Sequence, residues 1–189
     1  MPCSRYDTGG NWYKGNTHIH STHSDGGATP EELGRMYAAA GYHFLYRTDH
    51  WVASDVAADS FDSPLLWMDG IELDGTDHTG ALYHVVCLGT FRGIECGMEL
   101  EAGIEAARAQ GGLVILAHPF WSGNTFADAL RWKFDGVEVY NNMCGWLNGK
   151  ADSSAYCTPC SRARRPCSAW PATTPTCVRN IPSGTAAGL

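Results

Sequence analysis

Histidine and carboxylate side chains recur in this sequence where short apolar segments begin or end. His18 and His20 lie two residues apart in residues 16–20, and the period of two in a strand places both imidazoles on one face. Neutral imidazole binds zinc, manganese and iron, so this pair supplies half of a coordination shell. Taken alone, a pair of this kind is about as often an exposed pair on an edge strand.

Five further candidates stand in similar positions along the chain. They are Asp25, His50, Glu72, His84 and His118. The glycines after Asp25 allow a loop to turn that carboxylate back toward the strand end. A lone histidine after a strand more often caps it than binds a metal, but the same placement at seven positions would require independent coincidences. The pattern therefore predicts a metal site built from imidazoles and carboxylates.

Alternating strands and helices are expected to position these side chains. The predicted strands are 16–20, 42–48, 65–73, 81–89, 113–117 and 136–140, and the predicted helices are 29–41, 98–110 and 125–132. Thr29, Pro30 and Glu32 have the spacing of a capping box that begins the first helix. The mostly β-α order favours an α/β domain with parallel strands. In such domains the chemistry lies at the carboxyl ends of the strands, where the candidates stand.

The motifs around the candidates resemble those of the PHP family, the polymerase and histidinol phosphatase domains. They are the stretch from His18 to Gly26 (HIHSTHSDG), Thr48-Asp49-His50, Gly70-Ile71-Glu72, His84 before an apolar run, and Ala117-His118-Pro119. These motifs follow the family's order between residues 14 and 141. The resemblance implies a distorted, TIM-like β/α barrel of the seven-stranded type, incomplete at its C-terminus. It also implies hydrolysis of a phosphoester by a metal-activated hydroxide, as a phosphatase or phosphodiesterase.

The resemblance further implies up to three divalent ions of zinc, manganese or iron. In that arrangement His18, His20 and Glu72 bind the first ion, Glu72 bridges to a second held by His84 and His118, and Asp25 and His50 hold the third. The implied partner is a small phosphorylated substrate or nucleotide, and a nucleic acid only as substrate. No catalytic residue beyond the metal ligands is assigned.

Several other residues allow two interpretations. His23 could assist substrate binding or protonate a leaving group, or it could be a surface loop residue. Lys14 and Arg47 could contact a phosphate, although surface and ion-pair roles are more common. Glu138 is expected behind the metal ligands, and Trp121 either lines the pocket or belongs to the core.

The composition excludes several classes of protein. Charged residues make up 17% of the chain, against roughly 25% in a typical soluble domain, which excludes a highly charged disordered chain and a coiled coil. The net charge of −7 argues against nucleic-acid binding through overall charge. No apolar run approaches the ~20 residues that span a bilayer, and residues 1–11 do not resemble a secretory signal. We therefore expect a cytoplasmic protein without membrane contact.

The last part of the sequence differs from the rest in composition. Residues 1–150 contain 19 acidic and 9 basic residues, whereas 151–189 contain one acidic residue, four arginines and four of the eight cysteines. We predict an incomplete metal-binding domain over residues 1–155 and a disordered tail over 156–189. Cys157 and Cys160 have the spacing of a zinc or redox pair, but no second pair accompanies them.

The family pattern ends in an Asp-x-His motif, and no histidine follows His118. A change of reading frame near residues 156–159 permits a helix end, a buried strand and this motif from the codons of 159–176. The sequence thus fits a phosphoesterase whose reading frame is shifted, or an inactive remnant that still binds metal. A third interpretation is a related metallohydrolase that acts on a carbon ester or amide.

Overall fold

The structure is a computed structural model that describes residues 11–59 and 62–157, and the backbone alone for 168–170. The predicted frame change, and the Cys160 half of the cysteine pair, lie outside the described residues. The predicted disorder of residues 156–189 also falls almost wholly outside them. These points stay predictions, as does the domain boundary at residue 155.

One mixed sheet with helices in its connections forms the described part. Its strands are β1 (Gly15–Asn16), β2 (Phe44–Arg47), β3 (Leu66–Thr76), β4 (Leu82–Leu88), β5 (Leu113–Leu116), β6 (Gly136–Glu138) and the short segment β7 (Ser168–Trp170). The helices are α1 (Pro30–Ala39), α2 (Leu100–Ala109), α3 (Pro119–Ser122), α4 (Phe126–Arg131) and α5 (Asn142–Asn148), followed by a 3₁₀ turn at Ser154–Tyr156. Strands lie in the sheet in the order of the chain.

The direction of β4 departs from the expected parallel arrangement. β4 is antiparallel to both β3 and β5, whereas the other neighbours are parallel. The reason is its connection: only residues 77–81 join β3 to β4, and a tight hairpin joins antiparallel strands, whereas a parallel pair needs a long crossover. The start of β4 therefore lies at the same edge as the ends of β3 and β5, and His84 is near that start.

The sheet curls, so that its first and sixth strands approach each other. His18 follows β1 and Glu138 ends β6, yet His18 Nδ1 lies 3.3 Å from Glu138 Oε1. In a flat sheet, five steps of about 4.8 Å would separate these strands by about 24 Å, which two side chains cannot bridge. The fold is a mixed α/β fold whose strands β1–β6 form a curled half-barrel, consistent with an incomplete barrel.

Two strand boundaries differ from the prediction in ways that matter for the site. The first predicted strand, 16–20, pairs only at Gly15–Asn16, because the Asn16 side chain accepts a hydrogen bond from the amide of His18 and turns the chain away. In contrast, β3 extends to Thr76, so Glu72 lies inside a strand rather than at its end.

The predicted helix over 98–110 is present as α2, and it buries one apolar face. Leu100, Ile104 and Ala107 are buried and pack in one cluster with Leu73 of β3 and Val114 of β5. This packing fixes β3 against the neighbouring strands from outside the half-barrel, beneath the edge where the histidines gather. None of the described helices is both long and apolar enough to cross a membrane.

The predicted start of α1 is also confirmed. Thr29 accepts a hydrogen bond from the amide of Glu32, and the Glu32 carboxylate accepts one from the amide of Thr29, which completes a capping box. Leu33 and Tyr37 are buried, whereas Met36 is 37% exposed. α1 therefore buries a narrow apolar face.

Candidate metal centre

The seven side chains predicted to bind metal meet at one pocket of about 190 Å³. They are His18, His20 and Asp25 after β1, His50 after β2, Glu72 in β3, His84 in β4, and His118 after β5. The carboxyl ends of β1, β2 and β5 and the amino end of β4 share this edge. The site thus assembles from segments spread over about a hundred residues of sequence.

Glu72 is the centre of the cluster, and its carboxylate is buried. Its oxygen Oε2 lies 2.9 Å from His18 Nε2, 2.7 Å from His20 Nε2 and 3.6 Å from His50 Nε2. Its oxygen Oε1 lies 3.0 Å from His84 Nδ1 and 3.5 Å from His118 Nε2. Five imidazoles therefore surround one carboxylate.

The donor set fits divalent cations better than a purely hydrogen-bonded network. A carboxylate has about four lone-pair positions, too few for five ring N–H groups. In addition, His18 Nε2 and His20 Nε2 face each other at 3.1 Å, so at least one of them must present a lone pair. Imidazole lone pairs together with carboxylate oxygens are the ligands of zinc, manganese and iron.

Three overlapping groups have ligand atoms close enough to share an ion. They are His18, Glu72 and His118; His20, Asp25 and His50; and His50, Glu72 and His84. The division that the resemblance implied is also compatible with the distances. His18 Nε2, His20 Nε2 and Glu72 Oε2 lie 2.7–3.1 Å from one another, and His84 and His118 both contact Glu72 Oε1.

The electrostatics of the cluster favour positive charge. Burial lowers the pKa of His20, but the Asp25 and Glu72 carboxylates outweigh it and raise that pKa to about 9. Burial also opposes protonation of His18, yet Glu72 and Glu138 raise its pKa well above the usual value. Burial raises the pKa of Glu72, but the neighbouring histidines hold it well below its ordinary range. Protons or a bound cation can supply this charge, and metal binding displaces the protons.

The loop that carries His20 and Asp25 is fixed by Asp49, which is fully buried. The Asp49 carboxylate accepts hydrogen bonds from the amide and hydroxyl of Ser21 at 2.7 and 2.8 Å, and from the Ser24 hydroxyl at 2.8 Å. The loop is so tight that a Cβ at Gly26 would lie 2.4 Å from the carbonyl oxygen of His20. Asp25 is thereby held with its Oδ1 2.8 Å from His20 Nδ1.

Glu138 supports the cluster from behind, as the sequence predicted. Its carboxylate lies next to the His18 ring and accepts a hydrogen bond from the amide of His118 at 2.7 Å. His118 has a backbone φ of +25°, a left-handed value that is rare for a residue other than glycine. Backbone strain of this kind costs about 1–3 kcal/mol and persists where surrounding contacts over-determine it. The hydrogen bond to Glu138 is such a contact.

Two residues at the site were not predicted from the sequence. Asp74 Oδ1 lies 2.8 Å from His50 Nδ1, and the period of two in β3, which places Asp74 on the same face as Glu72, was the available signal. Asn141 lines the pocket and donates a hydrogen bond from Nδ2 to Glu138 at 3.0 Å. It caps α5, which has only seven residues and is therefore too short for a hydrophobic period to mark the helix in the sequence.

Other residues considered from the sequence do not approach the cluster. His23 is exposed and lies outside the pocket lining. Lys14 donates to the carbonyl of Ala40, and Arg47 is buried in an ion pair with Asp59. Both positions agree with ordinary structural roles for the two cations, and not with contacts to a phosphate. Trp121, by contrast, lines the pocket with its ring edge-on to His84 and His118.

Comparison with solved structures gives likenesses at the level of the fold. A predicted metal-dependent phosphoesterase from Bifidobacterium adolescentis is 13% identical with a TM-score of 0.57, and the match covers 80% of this chain and 84% of that one. An amidohydrolase from Chromobacterium violaceum, solved with bound sulfate and without metal, is 13% identical with a TM-score of 0.56, over 82% and 86%.

A third likeness has a lower score. A two-domain protein from Bacteroides vulgatus, which contains a predicted PHP-like metal-dependent phosphoesterase, is 20% identical with a TM-score of 0.49. The match covers 68% of this chain and only 44% of that protein. No family model matches the chain, and no curated protein matches its sequence. The comparisons therefore show a likeness in fold at low sequence identity.

Proposed function

We propose that this chain hydrolyses a phosphoester at a centre of divalent cations. The observation that carries the proposal is the contact of five histidines with the single buried carboxylate of Glu72. The ligands would be the seven side chains of the cluster, and their imidazole and carboxylate atoms suit zinc, manganese or iron. Bound there, such cations lower the pKa of water and neutralise phosphoryl oxygens as charge develops.

The residues around the ligands have separate tasks in this proposal. Asp49 holds the loop of His20 and Asp25, and Glu138 orients His18 and the backbone of His118. Residues behind metal ligands fix ring orientation and raise ligand basicity. Trp121 shields His84 and His118 from solvent on one side. These contacts hold the ligand side chains in place, as a preorganised site requires.

The likeness in fold to a predicted phosphoesterase supports this reaction class. The same likeness supports a proposal about the architecture. We propose that the half-barrel corresponds to most of a seven-stranded, TIM-like β/α barrel. The expected partner is a small phosphorylated molecule or a nucleotide. The likeness to an amidohydrolase favours a second candidate, hydrolysis of a carbon ester or amide at the same centre.

The decisive experiment measures metal-dependent turnover by the full chain. The metal-free protein, reloaded with Mn²⁺ or Zn²⁺, is offered p-nitrophenyl phosphate, bis(p-nitrophenyl) phosphate, p-nitrophenyl acetate and a p-nitroanilide. We expect release of p-nitrophenol from a phosphate substrate only after metal is added. Turnover of the acetate or anilide alone would establish the second candidate instead.

The variant His84→Asn tests whether the cluster is responsible. Substitution of a residue behind the metal ligands commonly lowers metal affinity or activity by 10- to 100-fold. Loss of a direct ligand is therefore expected to lower turnover by about a hundredfold or more. His78→Asn is the matched control, because His78 is exposed and bound to Glu101 away from the pocket. A chain that binds metal yet hydrolyses none of the substrates would be the inactive remnant.

A further inference from the structure

The pocket has two chemically different sides. Beside the His and carboxylate cluster, the pocket is lined by a set of residues that we name the apolar wall: Trp121 of α3 and Met143, Cys144 and Leu147 of α5. Cys144 is buried, whereas Leu147 is 55% exposed and lies at the open side. A substrate whose charged group reaches the cluster would rest the remainder of its structure on this wall.

The wall offers little hydrogen bonding beyond the indole N–H of Trp121. Within the described pocket lining, Asn141 is the one side chain with an amide or hydroxyl group outside the seven candidate ligands. Both ends of its amide are engaged: Nδ2 donates to Glu138, and Oδ1 accepts from the amide of Cys144 at 3.0 Å. A hydroxyl-rich or amino-bearing group would thus lose more hydrogen bonds to water than this wall can replace, which disfavours such substrates.

The described lining also contains no lysine or arginine. Lys14 and Arg47, which the sequence offered as phosphate contacts, are bound elsewhere, to Ala40 and Asp59. A second phosphate group on the substrate would therefore meet apolar side chains instead of a lysine or arginine. This arrangement favours substrates with one phosphoryl group.

The volume of the pocket sets a third limit. At about 190 Å³ it is smaller than the roughly 300–1,000 Å³ of sites that enclose drug-sized ligands. A cavity of about 150 Å³ lined by apolar side chains is large enough for benzene. A compact substrate with a single ring suits these dimensions, since Leu147 leaves one side open for part of it.

We propose that the pocket selects compact phosphomonoesters whose leaving group is one flat apolar ring, placed against the apolar wall. This inference rests on the proposed phosphoesterase function. In the reaction, water replaces the ring oxygen at phosphorus: the ester P–O bond breaks, a new P–O bond to the water oxygen forms, and the ring leaves as its hydroxyl compound with a proton from water. Phosphate and a phenol-type product balance the atoms without another reactant.

Binding of two non-hydrolysable analogues tests the inference independently of turnover. Benzylphosphonate imitates an aryl phosphate and ethylphosphonate imitates a methyl phosphate, and both present the same anion to the cluster. Their dissociation constants are measured by titration calorimetry on the full chain loaded with Mn²⁺. We expect benzylphosphonate to bind about tenfold more tightly, as partial burial of one ring predicts.

Variants of neighbouring residues on α5 locate the effect. Leu147→Asn, which keeps the size of the side chain but makes it polar, is expected to reduce the preference to less than about twofold. Trp146→Ala is the matched control, because Trp146 is 71% exposed on the same helix and does not line the pocket. It should retain the full preference.

The outcomes separate this inference from the function on which it rests. Equal affinity for both phosphonates would overturn the inference and leave the phosphoesterase proposal intact. A preference that survives Leu147→Asn would overturn the assignment of the ring to the apolar wall. If Mn²⁺ binds and neither phosphonate does, the phosphoesterase proposal itself fails, and the inference fails with it.

Discussion

Two buried carboxylates, Glu72 in β3 and Asp77 just after it, have opposite kinds of partners. Glu72 is surrounded by five histidines. Asp77 accepts hydrogen bonds from the amide and hydroxyl of Thr79, from Arg131 at 2.9 Å, and from Trp132 at 3.3 Å. The two acids are only five residues apart in the chain. Glu72 nevertheless belongs to a candidate metal centre, whereas Asp77 belongs to a structural link between elements of the fold.

The pKa shifts of the two carboxylates do not distinguish them. Burial raises the pKa of each, and in each case the partners outweigh burial and lower it. The chemistry of the partners does distinguish them. Arg131 keeps its charge at every accessible pH and cannot bind a metal, so the Asp77 cluster is complete as it stands. Imidazoles can exchange a proton for a metal ion, so the Glu72 cluster can accept a ligand.

The largest expected effect follows from removing the charge of Glu72. Glu72→Gln keeps the shape of the side chain but weakens every contact to the five imidazoles. We expect affinity for Mn²⁺ or Zn²⁺ to fall by about a hundredfold or more, because Glu72 belongs to two of the three candidate groups. Titration with a competing chelator measures the change. Unchanged affinity would show that Glu72 is only structural, like Asp77.

The next effect is expected at Asp77 and concerns stability. Asp77→Asn weakens the hydrogen bonds from Thr79, Arg131 and Trp132 that tie the β3–β4 hairpin to α4 and the residue after it. Hydrogen bonds to a charged group contribute about 1.5–3 kcal/mol, so we expect the free energy of unfolding to fall by about 2 kcal/mol. Metal affinity should stay unchanged. Urea denaturation of the metal-free protein measures the loss.

The same variant gives a pH dependence with a definite sign. Because the pKa of Asp77 is lower in the folded state, its ionised form stabilises the fold above the unfolded pKa of about 3.9, and this stabilisation is lost as pH falls below that value. The difference between native protein and Asp77→Asn should therefore be full at pH 6 and shrink below about pH 4. Asp55→Asn is the control: its pair with Arg92 is largely exposed, and such pairs contribute about 0–1 kcal/mol.

The contrast between the two acids also shows what the sequence could reveal. The histidines and Glu72 were recognisable because strand period and strand ends determine where their side chains point. Asp77 and Arg131 were not, since a link between a hairpin and a distant helix depends on tertiary contact across 54 residues.

The direction of β4 and the presence of α5 were missed for local reasons. The residues before His84 gave a turn signal, but a strand's apolar pattern is the same whichever way it runs. α5 begins with Asn141 as a cap whose side chain accepts from the amide of Cys144, yet its seven residues are too few for a hydrophobic period to show in the sequence. Residues such as Leu147 therefore entered the site only through the structure.

A smaller effect is expected at Asp49, whose role lies between those of Glu72 and Asp77. This carboxylate resembles Asp77 in its fixed hydrogen bonds, but it holds a loop of candidate ligands rather than a hairpin. Asp49→Asn should weaken metal binding by about tenfold, since substitution of residues behind metal ligands commonly lowers metal affinity or activity by 10- to 100-fold. The loss of affinity should fall on the group of His20, Asp25 and His50. Fewer ions should therefore be bound per chain at a subsaturating metal concentration.

A milder pair of variants separates positioning from general instability. Ser24→Ala removes one hydroxyl that donates to Asp49, and Thr22→Ala changes an exposed side chain in the same loop. Ser24→Ala should weaken metal binding by a few-fold without a change in the metal-free melting temperature, whereas Thr22→Ala should change neither. Equal metal affinity in both variants would place Asp49 with Asp77, as a residue that stabilises the fold and does not tune the centre.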